Sequence, residues 1–99
     1  MITGPLCRAA RALVELSRDN LARVSKIDSK VIENFENQIN TPSPDVVAAL
    51  KEALENKGAV FIPEDERGAG VRLKFTRSEA KRIAILESEG GIAAPDDVP

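Results

Sequence analysis

Residues 17–35 read SRDNLARVSKIDSKVIENF, and their spacing predicts two short helices joined by a tight turn. Ser17 suits the N-cap of the first helix, RDNLARV, with Asp19 well placed in its first turn. Leu21 and Ala22 form the buried side of that helix, with Val24 at its margin. Ser25, Lys26 and Ile27 make the connection. Asp28 then caps a second helix, SKVIENFENQ (residues 29–38), whose Val31, Ile32 and Phe35 point inward. A helix pair crosses closely, at about 90–120°, only where one contact is small, and Ala22 supplies it. Ile27 plugs the gap between the two helices. Ser29, Lys30, Glu33, Asn34 and Asn37 are left on the outside.

The flanking sequence extends the pattern in both directions. PLCRAARALVEL (residues 5–16) opens with a proline suited to a first helical turn, and Leu6, Ala9, Ala10, Leu13 and Leu16 recur at helical spacing. NQINTPSPD (residues 37–45) is rich in turn formers. Ser43 caps, and Pro44 opens, a helix over residues 44–57 with Val46, Val47, Leu50 and Leu54 as its apolar stripe; Gly58 stops it. AVFIPE (residues 59–64) and VRLKF (residues 71–75) read as two short strands around the loop DERGAG. Thr76 and Glu79 form a capping box for a last helix over residues 77–89, with Ala80, Ile83, Ala84 and Leu86 apolar. GGIAAPDDVP (residues 90–99) reads as a tail. The expected organisation is a helical core over residues 1–58, a hairpin and helix over 59–89 belonging to the same domain, and the tail.

Composition narrows the function classes. Ninety-nine residues make one domain, and a 42% hydrophobic, 30% charged chain is ordinary for a soluble globular protein. No apolar run reaches the roughly 20 residues that span a bilayer, and arginines interrupt the N-terminal apolar positions, so a cytoplasmic location is expected. Cys7 is the sole cysteine and there is no histidine, which leaves no internal disulfide and argues against a structural zinc site; no acidic run has calcium-loop spacing. There is neither a nucleophile elbow nor a phosphate-cradling glycine loop. The expectation is a protein that is not an enzyme and needs no cofactor. The net charge of −2 is unusual for a nucleic-acid binder. Its distribution is uneven: residues 8–30 carry six cations against three anions, and residues 59–99 six against eight. Only the local field at a contact face acts on a phosphate.

With AARALVELS, RDNLARVSKID and SKVIENFEN in this order, the stretch from Leu6 to Leu54 resembles the helix-turn-helix family of the lambda and 434 repressors and Cro, also called the xenobiotic-response-element (XRE) family. The hairpin region is similar to the short strand-forming extension of many small bacterial members. The resemblance implies a mainly α, lambda-repressor-like core followed by a β-hairpin and a terminal helix. It implies a homodimeric DNA-binding transcriptional regulator that reads palindromic operator DNA with its third helix in the major groove. Aligned on the turn, the family's base-contacting positions fall on Ser29, Lys30 and Asn34. Its phosphate-contacting positions fall on Arg18, Asn37 and Gln38 or Asn40, and its buried ion pair on Arg11 and Glu36. The family often has glycine in the turn, where this chain has Lys26.

Chemistry supports these assignments on its own terms. Lysine donates to guanine O6 and N7, and asparagine pairs with adenine N6 and N7. Ser17, Arg18 and the free N–H groups opening their helix suit a phosphate. One such module touches too few bases to specify a site, so a two-fold dimer is expected. Its expected surface is Val60, Ile62, Val71, Leu73, Phe75, Ile83 and Leu86. The alternative is a protein-interaction module on the same fold, an anti-activator or antitoxin, which the acidic C-terminal third favours. Cys7 is expected to be a small core or boundary residue.

Overall fold

The computed structural model describes residues 1–75. Over this range the protein is mainly helical, with a small two-stranded antiparallel sheet. The order is α1 (Gly4–Leu13), α2 (Arg18–Ser25), α3 (Ser29–Glu36), α4 (Pro44–Asn56), β1 (Ala59–Ile62) and β2 (Gly70–Leu73). The expected capping box at Thr76 and Glu79, the helix over 77–89 with Ile83 and Leu86, and the tail lie outside the described residues.

Each helix start is held by a side chain that accepts from an otherwise unpaired backbone N–H. Thr3 accepts from Leu6 in α1, Ser17 from Asn20 in α2, Asp28 from Lys30 in α3 and Ser43 from Val46 in α4. The ends differ from those expected. α1 stops at Leu13 rather than Leu16, because Glu15 turns to φ 56° and redirects the chain. α3 stops at Glu36 rather than Gln38, which itself sits at φ 60°. β1 stops at Ile62 rather than residue 64, and β2 runs from Gly70 to Leu73 rather than over 71–75. Pro63, with no N–H to give, lies just past the last paired residue of β1.

α1 packs against α3, α4 and β2; α2 packs against α3 and α4; β1 lies on α4. The shared core is built from Ile2, Cys7, Ala10, Leu21, Ile32, Phe35, Val47, Leu50, Ala53, Leu54 and Ala59, with Ala22 and Ile27 packed against it. The buried stripe of α1 is rotated from the expected one. Gly4, Cys7 and Ala10 face inward, while Ala9 and Leu13 are exposed and Leu6 and Leu16 half-buried. Small side chains let α1 come close to the end of α3, so packing selects that stripe over the bulkier one. Val24 and Val31 are likewise exposed, not inward.

The connection between α2 and α3 is Lys26-Ile27-Asp28, and Lys26 holds φ 63°, ψ 27° at the α2 C-cap. Its N–H donates to the Ala22 carbonyl. A residue with a Cβ is strained there by about 1–2 kcal/mol, while glycine loses about 0.5–1 kcal/mol through its greater freedom when unfolded. Lys26→Gly is therefore expected to stabilise the fold by about 0.5–1 kcal/mol. Urea unfolding measures it; an unchanged or lower midpoint would contradict strain at this turn.

In the sheet, Ala59 lies opposite Leu73, Val60 opposite Arg72, Phe61 opposite Val71 and Ile62 opposite Gly70. Directly opposed residues share a face. Ala59, Phe61, Val71 and Leu73 thus lie on one side, and Phe61 and Val71 pack against the helical core. Val60, Ile62 and Arg72 lie on the other. This divides the expected dimer surface: Val71 and Leu73 are on the face turned to the chain's own helices. Val60 and Ile62 are on the opposite face, and Phe75 is exposed just past β2. The hairpin is part of the packed unit, since Ala59 is itself a core residue.

Candidate nucleic-acid interface

Successive residues of a helix are turned by about 100°. Taking Lys30 as reference, Asn37 and Asn34 lie within about 40° of it, Glu33 about 60° to one side and Val31 about 100° to the other. Phe35, Ile32, Glu36 and Ser29 occupy the remaining arc. The burial follows this wheel: Ile32, Phe35 and Glu36 are buried, Lys30, Val31 and Asn37 exposed, and Glu33, Asn34 and Ser29 half-buried. The outer edge of α3 is therefore Lys30, Asn34 and Asn37, flanked by an acid on one side and a valine on the other. The Lys30 ammonium leans to the acidic side, 3.7 Å from Glu33. Ser29 belongs beside Glu36 rather than beside Lys30, so of the three expected base-contacting residues the wheel groups Lys30 with Asn34 and sets Ser29 apart.

A buried carboxylate fastens the inner side. Glu36 Oε2 accepts from Arg11 Nε at 2.7 Å and from the Cys7 thiol at 3.4 Å. Its Oε1 accepts from Arg11 Nη2 at 2.8 Å and from Arg18 Nη2 at 3.4 Å. Arg11 thus grips Glu36 in a two-point fork, and its Nη1 donates to the Leu16 carbonyl at 3.1 Å. One side chain of α3 is tied to both α1 and α2. Burial would raise the Glu36 pKa, but the hydrogen bonds and charge of Arg11, with the Cys7 hydrogen bond and the Arg18 charge, bring it below the ordinary carboxylate range. Burial, then the neighbouring Glu36 charge, pushes the Cys7 thiol up to about 12, so Cys7 is a buried neutral donor rather than a reactive thiolate.

The residues expected to meet phosphate are split by their surroundings. Ser17 is exposed, but its hydroxyl oxygen is engaged by the Asn20 N–H at 3.0 Å. Arg18 is half-buried and shared with Glu36, and its buried Nε has no hydrogen-bond partner among the described residues. Its guanidinium is therefore oriented by α3 while part of it reaches solvent. Asn37, Gln38 and Asn40 are all exposed at the end of α3, where the Ile39 and Asn40 N–H groups return to the Asn34 carbonyl.

No family model and no curated protein matches this chain. The site presents a short helix whose inner side is locked by Ile32, Phe35 and Glu36, and whose outer edge carries the Asn34 and Asn37 amides and the Lys30 ammonium, the last 3.7 Å from Glu33. The contact of Arg18 with Glu36, which ties α2 to α3, was not legible in the sequence. Nor was the close approach of Gly4, where an added Cβ would stand 1.9 Å from the Phe35 carbonyl oxygen. A glycine at a helix start beside Pro5 is the one local signal that could have marked it.

Among the described residues, no helix is long and apolar enough to cross a membrane.

Proposed function

We propose that this protein is a sequence-specific DNA-binding transcriptional regulator with a lambda-repressor-like helix-turn-helix core. It enters the major groove with α3 and binds a palindromic operator as a homodimer. The observation that carries this reading is the outer edge of α3. Lys30 and Asn34 lie one turn apart on a helix that projects them outward and is anchored on its other side. These are the two side-chain types that pair with guanine and adenine edges. The eight-residue helix is short enough to lie in the groove with that edge towards the bases. Arg18 and the first-turn N–H groups of α2 would meet a phosphate and set the register, with Asn37, Gln38 and Asn40 supplying further contacts at the far end. A two-fold pair of such modules would hold its α3 helices about 34 Å apart, one turn of B-DNA. Val60 and Ile62, on the hairpin face away from the helices, and the exposed Phe75 would contribute to the pairing.

The test is selection of bound sites from random duplex DNA, followed by affinity measurements at several salt concentrations. A symmetric site whose affinity falls steeply with salt supports the reading. Lys30→Ala and Asn34→Ala should then each cost about 1–3 kcal/mol of specific binding and relax preference at one base pair. Folding should hardly change, since neither side chain contributes to the core. Failure to enrich any sequence would overturn the proposal and favour a protein-binding role on the same scaffold.

A further inference from the structure

A valine lies at the edge of the outer side of α3. Val31 is 36% exposed although its sequence pattern places it inward. Single apolar residues are common on protein surfaces; this one borders the polar row of Lys30, Asn34 and Asn37. Asn34 follows one turn later on the same side of α3, and Lys30 precedes it. Lys30 leans towards Glu33, on the opposite flank. The outer edge is thus polarised across its width: an ammonium and a carboxylate on one flank, an amide in the middle and a branched hydrocarbon on the other. The hydrocarbon is also rigid, because a β-branched side chain in a helix is held almost entirely in one rotamer. It would lose little freedom on being covered.

We propose that Val31 reads thymine in the operator half-site by packing its methyl groups against the thymine 5-methyl, beside the base pair engaged by Asn34. In the major groove thymine alone presents a methyl group, so a fixed apolar side chain there selects it as asparagine selects adenine. This inference rests on the DNA-binding reading above and adds a specificity determinant to it. The apolar flank and the amide together fit a run containing an A·T pair, with the ammonium side left for guanine.

The experiment replaces each thymine of the selected operator by uracil, one at a time, which removes only the methyl group. With the intact protein, one position per half-site should lose about fourfold in affinity, the worth of one buried methyl group. Val31→Ala should bind the thymine operator more weakly and show no further loss with uracil. Val31→Thr, which keeps one branched methyl, should retain the sensitivity, and Lys30→Ala should retain it too. Circular dichroism of Val31→Ala should match the parent because the side chain is outside the core. Indifference to uracil at every position, with Lys30→Ala and Asn34→Ala still losing specificity, would overturn the role of Val31 and leave the DNA reading intact. The same holds if the uracil penalty persists in full in Val31→Ala. Absence of any selected site would remove the DNA reading itself.

Discussion

Gly4→Ala is expected to destabilise the protein by about 3 kcal/mol or more, although alanine is the better helix former by about 1 kcal/mol. The two effects have opposite sign, and packing wins. A Cβ at position 4 would stand 1.9 Å from the Phe35 carbonyl oxygen, 2.8 Å from its carbonyl carbon and 3.2 Å from the Glu36 Cα. All three are backbone atoms, so no rotamer change relieves the overlap. Either α1 moves away from α3 or the end of α3 is pushed out, and both routes disturb the Arg11–Glu36 fork. A domain of this size has a total stability on the order of 5–15 kcal/mol, so such a loss takes a large share of it. Urea unfolding measures the effect. A variant as stable as the parent would mean that α1 does not approach α3 as closely as described.

Arg11→Ala is expected to cost about 3–5 kcal/mol, the range for removing one partner of a buried ion pair. Arg11 keeps 15% of its side-chain surface exposed, but Glu36 keeps none, so the charge left behind is the fully buried one. Arg18 alone, at 3.4 Å, cannot replace the two-point fork. Replacing both Arg11 and Glu36 by apolar residues should cost less than removing Arg11 alone, since no uncompensated charge then remains. A double variant no more stable than the single one would contradict this account.

The same carboxylate sets a pH dependence. The Glu36 pKa is depressed in the folded protein. Its contribution to stability is therefore fully present above its unfolded pKa, near the ordinary carboxylate value, and is lost as pH falls towards and through the folded one. Unfolding midpoints measured from neutral pH down into the acid range should fall in the parent. They should fall less in Glu36→Gln, which starts lower but has no proton to gain at this site. Parallel curves would show that other carboxylates carry the acid sensitivity.

Much of the architecture was legible because it rests on local rules. Ser17, Asp28 and Ser43 accept backbone hydrogen bonds within their own first turns, Pro44 suits only a first turn, and Gly58 follows a helix end. Such features depend on residues two to four apart, so the chain declares them without knowing its fold. The inward positions of Leu21, Ile32, Phe35, Val47, Leu50 and Leu54 follow from helical periodicity in the same way. The shared division of α3 into an inner and an outer side was therefore available from the spacing of its apolar residues.

What the tertiary structure alone decided lies where two helices compete for one space. The stripe of α1 runs through Gly4, Cys7 and Ala10 rather than Leu6 and Leu13, because closeness to α3 favours small side chains over larger apolar ones. Val31 sits on the border of the α3 wheel, and only the direction of the neighbouring helices determines which side of that border is wet. Arg18 reaches Glu36 across eighteen positions of sequence, a distance over which no spacing rule operates. The hairpin residues alternate correctly in the sequence, but which face is covered depends on where α1 and α4 lie. Local hydrogen bonding and periodicity are properties of the chain; the choice among equally apolar faces is a property of the packed whole.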